Sequence, residues 1–138
     1  MTSNKDIEMR LELIMLAWST VLGLFYLIVS AQAATKVRGI KWNLSARDEG
    51  PQELKGVPGR LQRAFKNFLE TYAFFVAATL LVHITDRYSV ITAIGSALYF
   101  WGRVVYLPLY AFGIPYARTA VWGLSTTGIV LMLIALGL

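Results

Sequence analysis

The 138-residue chain is 57% hydrophobic and only 15% charged, a balance that excludes an ordinary soluble domain and makes lipid the solvent. Four spans of about 20 residues each use most of that length, so no separate soluble domain fits beside them. The net charge of +5 lies in no basic stretch long enough to form a nucleic-acid face clear of the membrane, and anionic lipid head groups are the simpler counter-charge.

The first apolar run, over 13–34, predicts a membrane helix at 11–34. Its end, Ala31-Gln32-Ala33, imitates a signal-peptidase site. However, the apolar core is longer than a cleavable one, and Asp6 and Glu8 accompany Lys5 ahead of it, so a retained helix is expected. From 35 to 60 the composition turns polar, and Gly39, Gly50, Pro51, Gly56, Pro58 and Gly59 break regular structure, which predicts one long loop. Lys36, Arg38, Lys41, Arg47, Lys55 and Arg60 all fall in that loop, so the positive-inside rule makes it cytoplasmic.

Further spans are expected at 61–84, 90–110 and 119–138, completing one all-α, four-helix transmembrane domain over 1–138 with both termini on the outer side. Asp86-Arg87 turns the chain outside, and 111–118 returns it on the cytoplasmic side. Trp42, Trp122, Tyr88 and Tyr116 fall near the expected interfaces, which amphipathic rings favour.

Two polar stripes interrupt the apolar helices. Arg63, Asn67 and Glu70 stand at i, i+4 and i+7 and share one helix face. Ionisable groups at that depth turn toward protein or a wet cavity. The stripe therefore reads equally well as a site for a zwitterionic, peptide-like ligand or as a clamp between helices. Arg103, Tyr106 and Tyr110, at i, i+3 and i+7, form the second stripe. Arg103 lies about two turns inside the helix end, which favours a buried partner such as Glu70, and Pro108 removes a backbone donor nearby. The two tyrosines also suit interface anchoring. Arg118, followed by Thr119, opens the last helix, where an arginine either marks topology or stabilises an anion.

The remaining polar residues read more plainly. His83 is expected as an interfacial side chain, and no metal site is in view. Glu12 is placed close enough to the boundary to reach water. Ala73/Ala77 and Ala93/Ala97 have small-residue spacings that suit close helix packing. The chain has no cysteine, so it has neither disulfides nor a thiol nucleophile of its own.

Arg63-Ala64-x-x-Asn67-x-x-Glu70-Thr71, Arg103-x-x-Tyr106-x-x-x-Tyr110 and Arg118-Thr119 occur in this order along the chain. In these motifs the sequence resembles the membrane-associated proteins in eicosanoid and glutathione metabolism (MAPEG), over most of its length. The run Tyr106-Leu107-Pro108-Leu109-Tyr110 followed by Gly113-Ile114-Pro115 is most similar to small bacterial members, which implies an inner-membrane location. The resemblance implies a homotrimer of four-helix subunits with glutathione between neighbours in the cytoplasmic half. It further implies that Arg63, Asn67, Glu70, Arg103, Tyr106 and Tyr110 hold glutathione, that Arg118 stabilises its thiolate, and that a lipophilic substrate arrives through the bilayer. Thr71 departs from members that carry tyrosine there, and the spacing from Tyr110 to Arg118 varies among them.

The expected function is thus a glutathione-dependent transferase or peroxidase acting on hydrophobic electrophiles or lipid hydroperoxides. Two other readings stand beside it: a small transporter or efflux subunit, and a non-catalytic scaffold of the same fold. Transporters tend to bind substrate near the bilayer midplane, whereas both stripes cluster toward one end.

Overall fold

The computed structural model describes residues 9–138; Lys5, Asp6 and Glu8, the flanking charges of the first span, lie outside them. Five helices follow one another: α1 (Leu11–Arg38), α2 (Ile40–Leu44), α3 (Gly56–Ile84), α4 (Val90–Ala111) and α5 (Pro115–Ala135). All but α2 are long and apolar enough to cross a bilayer, and no strand occurs among the described residues. The architecture is an all-α membrane bundle of four spanning helices. α2 and the two ends it connects define a loop end; Arg10 and the 85–89 turn lie at the opposite end.

The helices overrun most of the limits set by hydropathy for local reasons, while α5 stops at Ala135, short of the expected 138. α1 continues from the expected 34 to Arg38 because Thr35, Lys36 and Arg38 lower the hydropathy without breaking the helix, and hydropathy marks the lipid boundary rather than the last helical turn. α3 starts at Gly56, ahead of the expected 61. α5 starts at Pro115, ahead of the expected 119, because proline is pre-organised for the first helical turn where its missing N–H is no loss. The expected loop itself contains α2, following a bend at Gly39, whose φ of 84° suits glycine. At the opposite end Ser89 starts α4 through a capping box: its hydroxyl accepts from the Thr92 N–H while Thr92 Oγ1 accepts from the Ser89 N–H.

α4 and α5 approach most closely. A Cβ on Gly95 would strike the Gly128 carbonyl, and one on Gly128 the Gly95 carbonyl, so these two glycines let the backbones touch. Gly102 gives Ser125 the same clearance one layer further on. Of the expected small-residue spacings, Ala93 and Ala97 are half-buried on α4, whereas Ala73 and Ala77 are exposed on the outside of α3.

Apolar packing forms two clusters. Phe75 and Tyr99 stack at 4.1 Å among Met15, Ala78, Val82, Ile129 and Met132. Nearer the loop end, Tyr26, Phe68 and Tyr106 pack with Leu61, Ala64 and Leu107. Between and beside them the interior is polar, with Ser19, Thr71, Thr79, Thr92, Ser96, Arg103 and Ser125 all buried while Trp18, Phe25, Phe74 and Trp101 face outward. This inside-out distribution is expected when lipid already solvates the apolar surface.

Glu12 corrects an expectation. It is only 3% exposed and accepts a hydrogen bond of 2.5 Å from Thr92 Oγ1 instead of reaching water. The first turn of α1 packs directly against the start of α4, so the carboxylate meets a hydroxyl before it meets solvent. His83, also at that end, shares a 2.6 Å hydrogen bond with the Tyr88 hydroxyl and is exposed.

Candidate functional site

Toward the loop end, α3, α4 and α5 border an outward-open cavity of about 420 Å³, lined by Arg63, Lys66, Asn67 and Glu70 from α3, Tyr106 and Tyr110 from α4, and Arg118, Thr119 and Trp122 from α5. Its size falls in the range of roughly 300–1,000 Å³ typical of small-ligand sites. The α3 residues share one face by helical period, and Lys66 joins the expected stripe because it stands three residues after Arg63. α5 contributes 118, 119 and 122, which cover one turn at its N-terminal end.

The charge balance is lopsided. Arg63, Lys66 and Arg118 place three cations around a single carboxylate, Glu70, so the cavity favours an anion that also carries one positive group. Arg118 is partly buried, and its guanidinium lies 4.4 Å from the centre of the Tyr110 ring, a cation–π contact that holds it at the cavity wall. Tyr110 in turn meets Tyr106 edge to face at 5.5 Å.

Arg103 is placed differently from its neighbours on the stripe. It is fully buried, at 0% exposure, and does not line the cavity. One terminal nitrogen donates to Asn67 Oδ1 at 2.8 Å and the other to Thr71 Oγ1 at 2.6 Å. The Tyr106 and Tyr99 rings lie 5.0 and 5.6 Å from the guanidinium, and Tyr26 donates its hydroxyl to the Arg103 carbonyl at 2.6 Å. The expected partner, Glu70, is not used. Asn67 and Thr71 are one turn apart on the face of α3 that meets α4, whereas Glu70 is turned about 60° from Asn67 and opens into the cavity. Nε of Arg103 has no partner among the described residues.

The bundle therefore brings Arg63, Asn67, Glu70, Tyr106, Tyr110 and Arg118 around one cavity and sets Arg103 behind its wall, with Asn67 between. Lys66, Thr119 and Trp122 complete the lining, and Thr71 serves as second acceptor for Arg103. Helical spacing alone carried a signal for Lys66. None existed for Trp122, whose ring reads equally well as an interface anchor.

Fold and cavity together define a polytopic helical membrane protein with a cavity lined by three cations and one carboxylate at one end of the bundle. The chain matches the MAPEG family profile over residues 15–138 and belongs to that family. Comparison with curated proteins and with solved structures gives no match.

Proposed function

We propose that the cavity binds glutathione and holds its thiolate for attack on lipophilic electrophiles or lipid hydroperoxides, as a membrane-bound transferase or peroxidase. The observation that carries this reading is the balance of Arg63, Lys66 and Arg118 against Glu70 around one cavity. Glutathione has two carboxylates, one ammonium and a thiol that ionises, so three cations and one carboxylate complement its thiolate form group by group. The cysteine-free chain then obtains its nucleophile from the ligand.

In this reading Glu70 pairs with the ammonium, while Arg63 and Lys66 meet the carboxylates. Arg118, steadied by Tyr110, lowers the thiol pKa by favouring the charged form. In conjugation, the sulfur lone pair forms the carbon–sulfur bond as the leaving group departs with its bonding pair. In peroxide reduction, sulfur attacks the peroxide oxygen, an alcohol leaves after taking up a proton, and a second glutathione closes the disulfide with release of water. Asn67 presents its amide to the ligand, and Arg103 positions Asn67.

Arg63, Lys66 and Glu70 are exposed in the single chain, which suits a cavity closed on its outer side by a neighbouring subunit of a homotrimer. The basic residues of the 35–60 loop support a cytoplasmic location for this end of the bundle in an inner membrane. The location of the cavity at one end weighs against a transporter, whose site would lie near the midplane.

Calorimetry with glutathione on detergent-purified protein, followed by ultraviolet difference spectra near neutral pH, tests the reading. Saturable binding with a thiolate signal and turnover of a model electrophile is the expected result. Binding without turnover over a broad electrophile panel supports a scaffold instead, and no binding to folded protein removes the assignment.

A further inference from the structure

α2 sits where a membrane helix ends, and its geometry keeps it there. Arg38 is the last residue of α1, and after the bend at Gly39 the chain folds back rather than continuing into water. Asn43 Nδ2 donates to Thr35 Oγ1, although eight residues of straight helix would separate the two by about 12 Å. The Trp42 ring lies 5.0 Å from each of the Arg38 and Arg47 guanidinium groups, and its indole N–H donates to the Gly50 carbonyl at 3.2 Å. Arg38 Nε holds the Gln52 carbonyl at 3.0 Å. The segment is thus fastened beside the last turns of α1, just past the apolar part of that span.

What it leaves outward is the opposite of what water would select. Ile40 and Leu44, one turn apart on α2, are 66% and 82% exposed, and α2 packs against no helix but α1. Lys36 and Lys41 are exposed beside them, with no hydrogen-bond partner among the described residues. A short helix that turns two aliphatic side chains and neighbouring ammonium groups outward at a membrane boundary matches one surface in both chemistry and position. Aliphatic side chains enter the acyl boundary while lysine stems reach the phosphates.

We infer that α2 is an interfacial anchor for anionic phospholipid, with Ile40 and Leu44 inserted below the phosphates and Lys36 and Lys41 on the head groups. This inference stands apart from the glutathione reading, since it uses none of the cavity residues. Its consequence is that lipid charge tethers the loop between the first two spans.

The cysteine-free sequence permits a direct test. A nitroxide attached to Leu44→Cys in the full-length protein reports its surroundings through accessibility to oxygen and to a water-soluble nickel chelate. The protein is reconstituted in phosphatidylglycerol vesicles and, separately, in phosphatidylcholine vesicles. The expected result is a label roughly 5–10 Å below the phosphates in phosphatidylglycerol, and shallower in phosphatidylcholine. Each of Lys36→Gln and Lys41→Gln should reduce the preference for phosphatidylglycerol about fivefold. A label open to the nickel chelate in both vesicles overturns the anchor. Equal depth in both overturns the head-group assignment. Immobilisation with exclusion of both reagents and spin–spin broadening means that a second copy of the chain covers α2, which also overturns it.

Discussion

Arg103 is joined to Asn67 by a 2.8 Å hydrogen bond from a guanidinium nitrogen to Oδ1. Because the arginine occupies the amide oxygen, the amide nitrogen is left as the free end of Asn67, and Asn67 is the residue of the pair that lines the cavity. A cation buried beneath the wall thereby sets the polarity of a group on its surface.

Arg103→Ala and Arg63→Ala should both weaken glutathione binding, for different reasons. Arg63 lines the cavity, so its loss removes a charge directly. Arg103 acts through Asn67, so in an Asn67→Ala background the further replacement of Arg103 should cost little additional affinity, with a coupling on the order of 1 kcal/mol in the double-mutant cycle. Calorimetry on the four proteins measures it, and additive losses would show independent roles.

Tyr110→Leu should depress the thiolate signal and turnover, whereas Tyr110→Phe should leave both nearly intact. The ring, rather than its hydroxyl, supports the Arg118 guanidinium 4.4 Å away, and such contacts are worth about 0.5–2 kcal/mol. Ultraviolet difference spectra of the two variants separate this from a hydrogen-bonding role, in which the phenylalanine variant would fail too.

Salt should weaken glutathione binding without unfolding the protein. Arg63 and Lys66 are exposed cations at the cavity, and the Debye length falls from about 10 Å at 0.1 M salt to about 3 Å at 1 M. Isothermal titrations across that range should show affinity declining steadily. A flat profile would mean that charge contributes little to recognition.

Gly128→Leu should destabilise the bundle by about 1–3 kcal/mol or prevent its assembly, because the new side chain meets the Gly95 carbonyl. Gly123→Leu is the matched control, since a Cβ there meets nothing within 4 Å. Thermal unfolding in detergent compares the two, and equal stability would remove the close α4–α5 approach as a source of packing energy.

Glu12→Ala should lower stability by about 1–3 kcal/mol while leaving glutathione affinity unchanged. The carboxylate is buried against Thr92, at the end of the bundle opposite the cavity. Parallel melting and binding measurements distinguish this from a carboxylate coupled to the site.

Four spans and the all-α class were legible in the sequence because a helix must satisfy its own backbone in lipid, and hydropathy reports that requirement locally. The sharing of one face by Arg63, Asn67 and Glu70 was equally legible, since helical period depends on spacing alone. Spacing does not say which neighbour a face meets. For that reason Arg103, on the same stripe as Tyr106 and Tyr110, went to Asn67 and Thr71 behind the cavity wall, Glu12 went to Thr92 instead of water, and the close helix contact fell at Gly95 and Gly128. The rotation of each helix about its axis, set by packing the whole bundle, decided those pairings, and no local stretch of sequence encodes it.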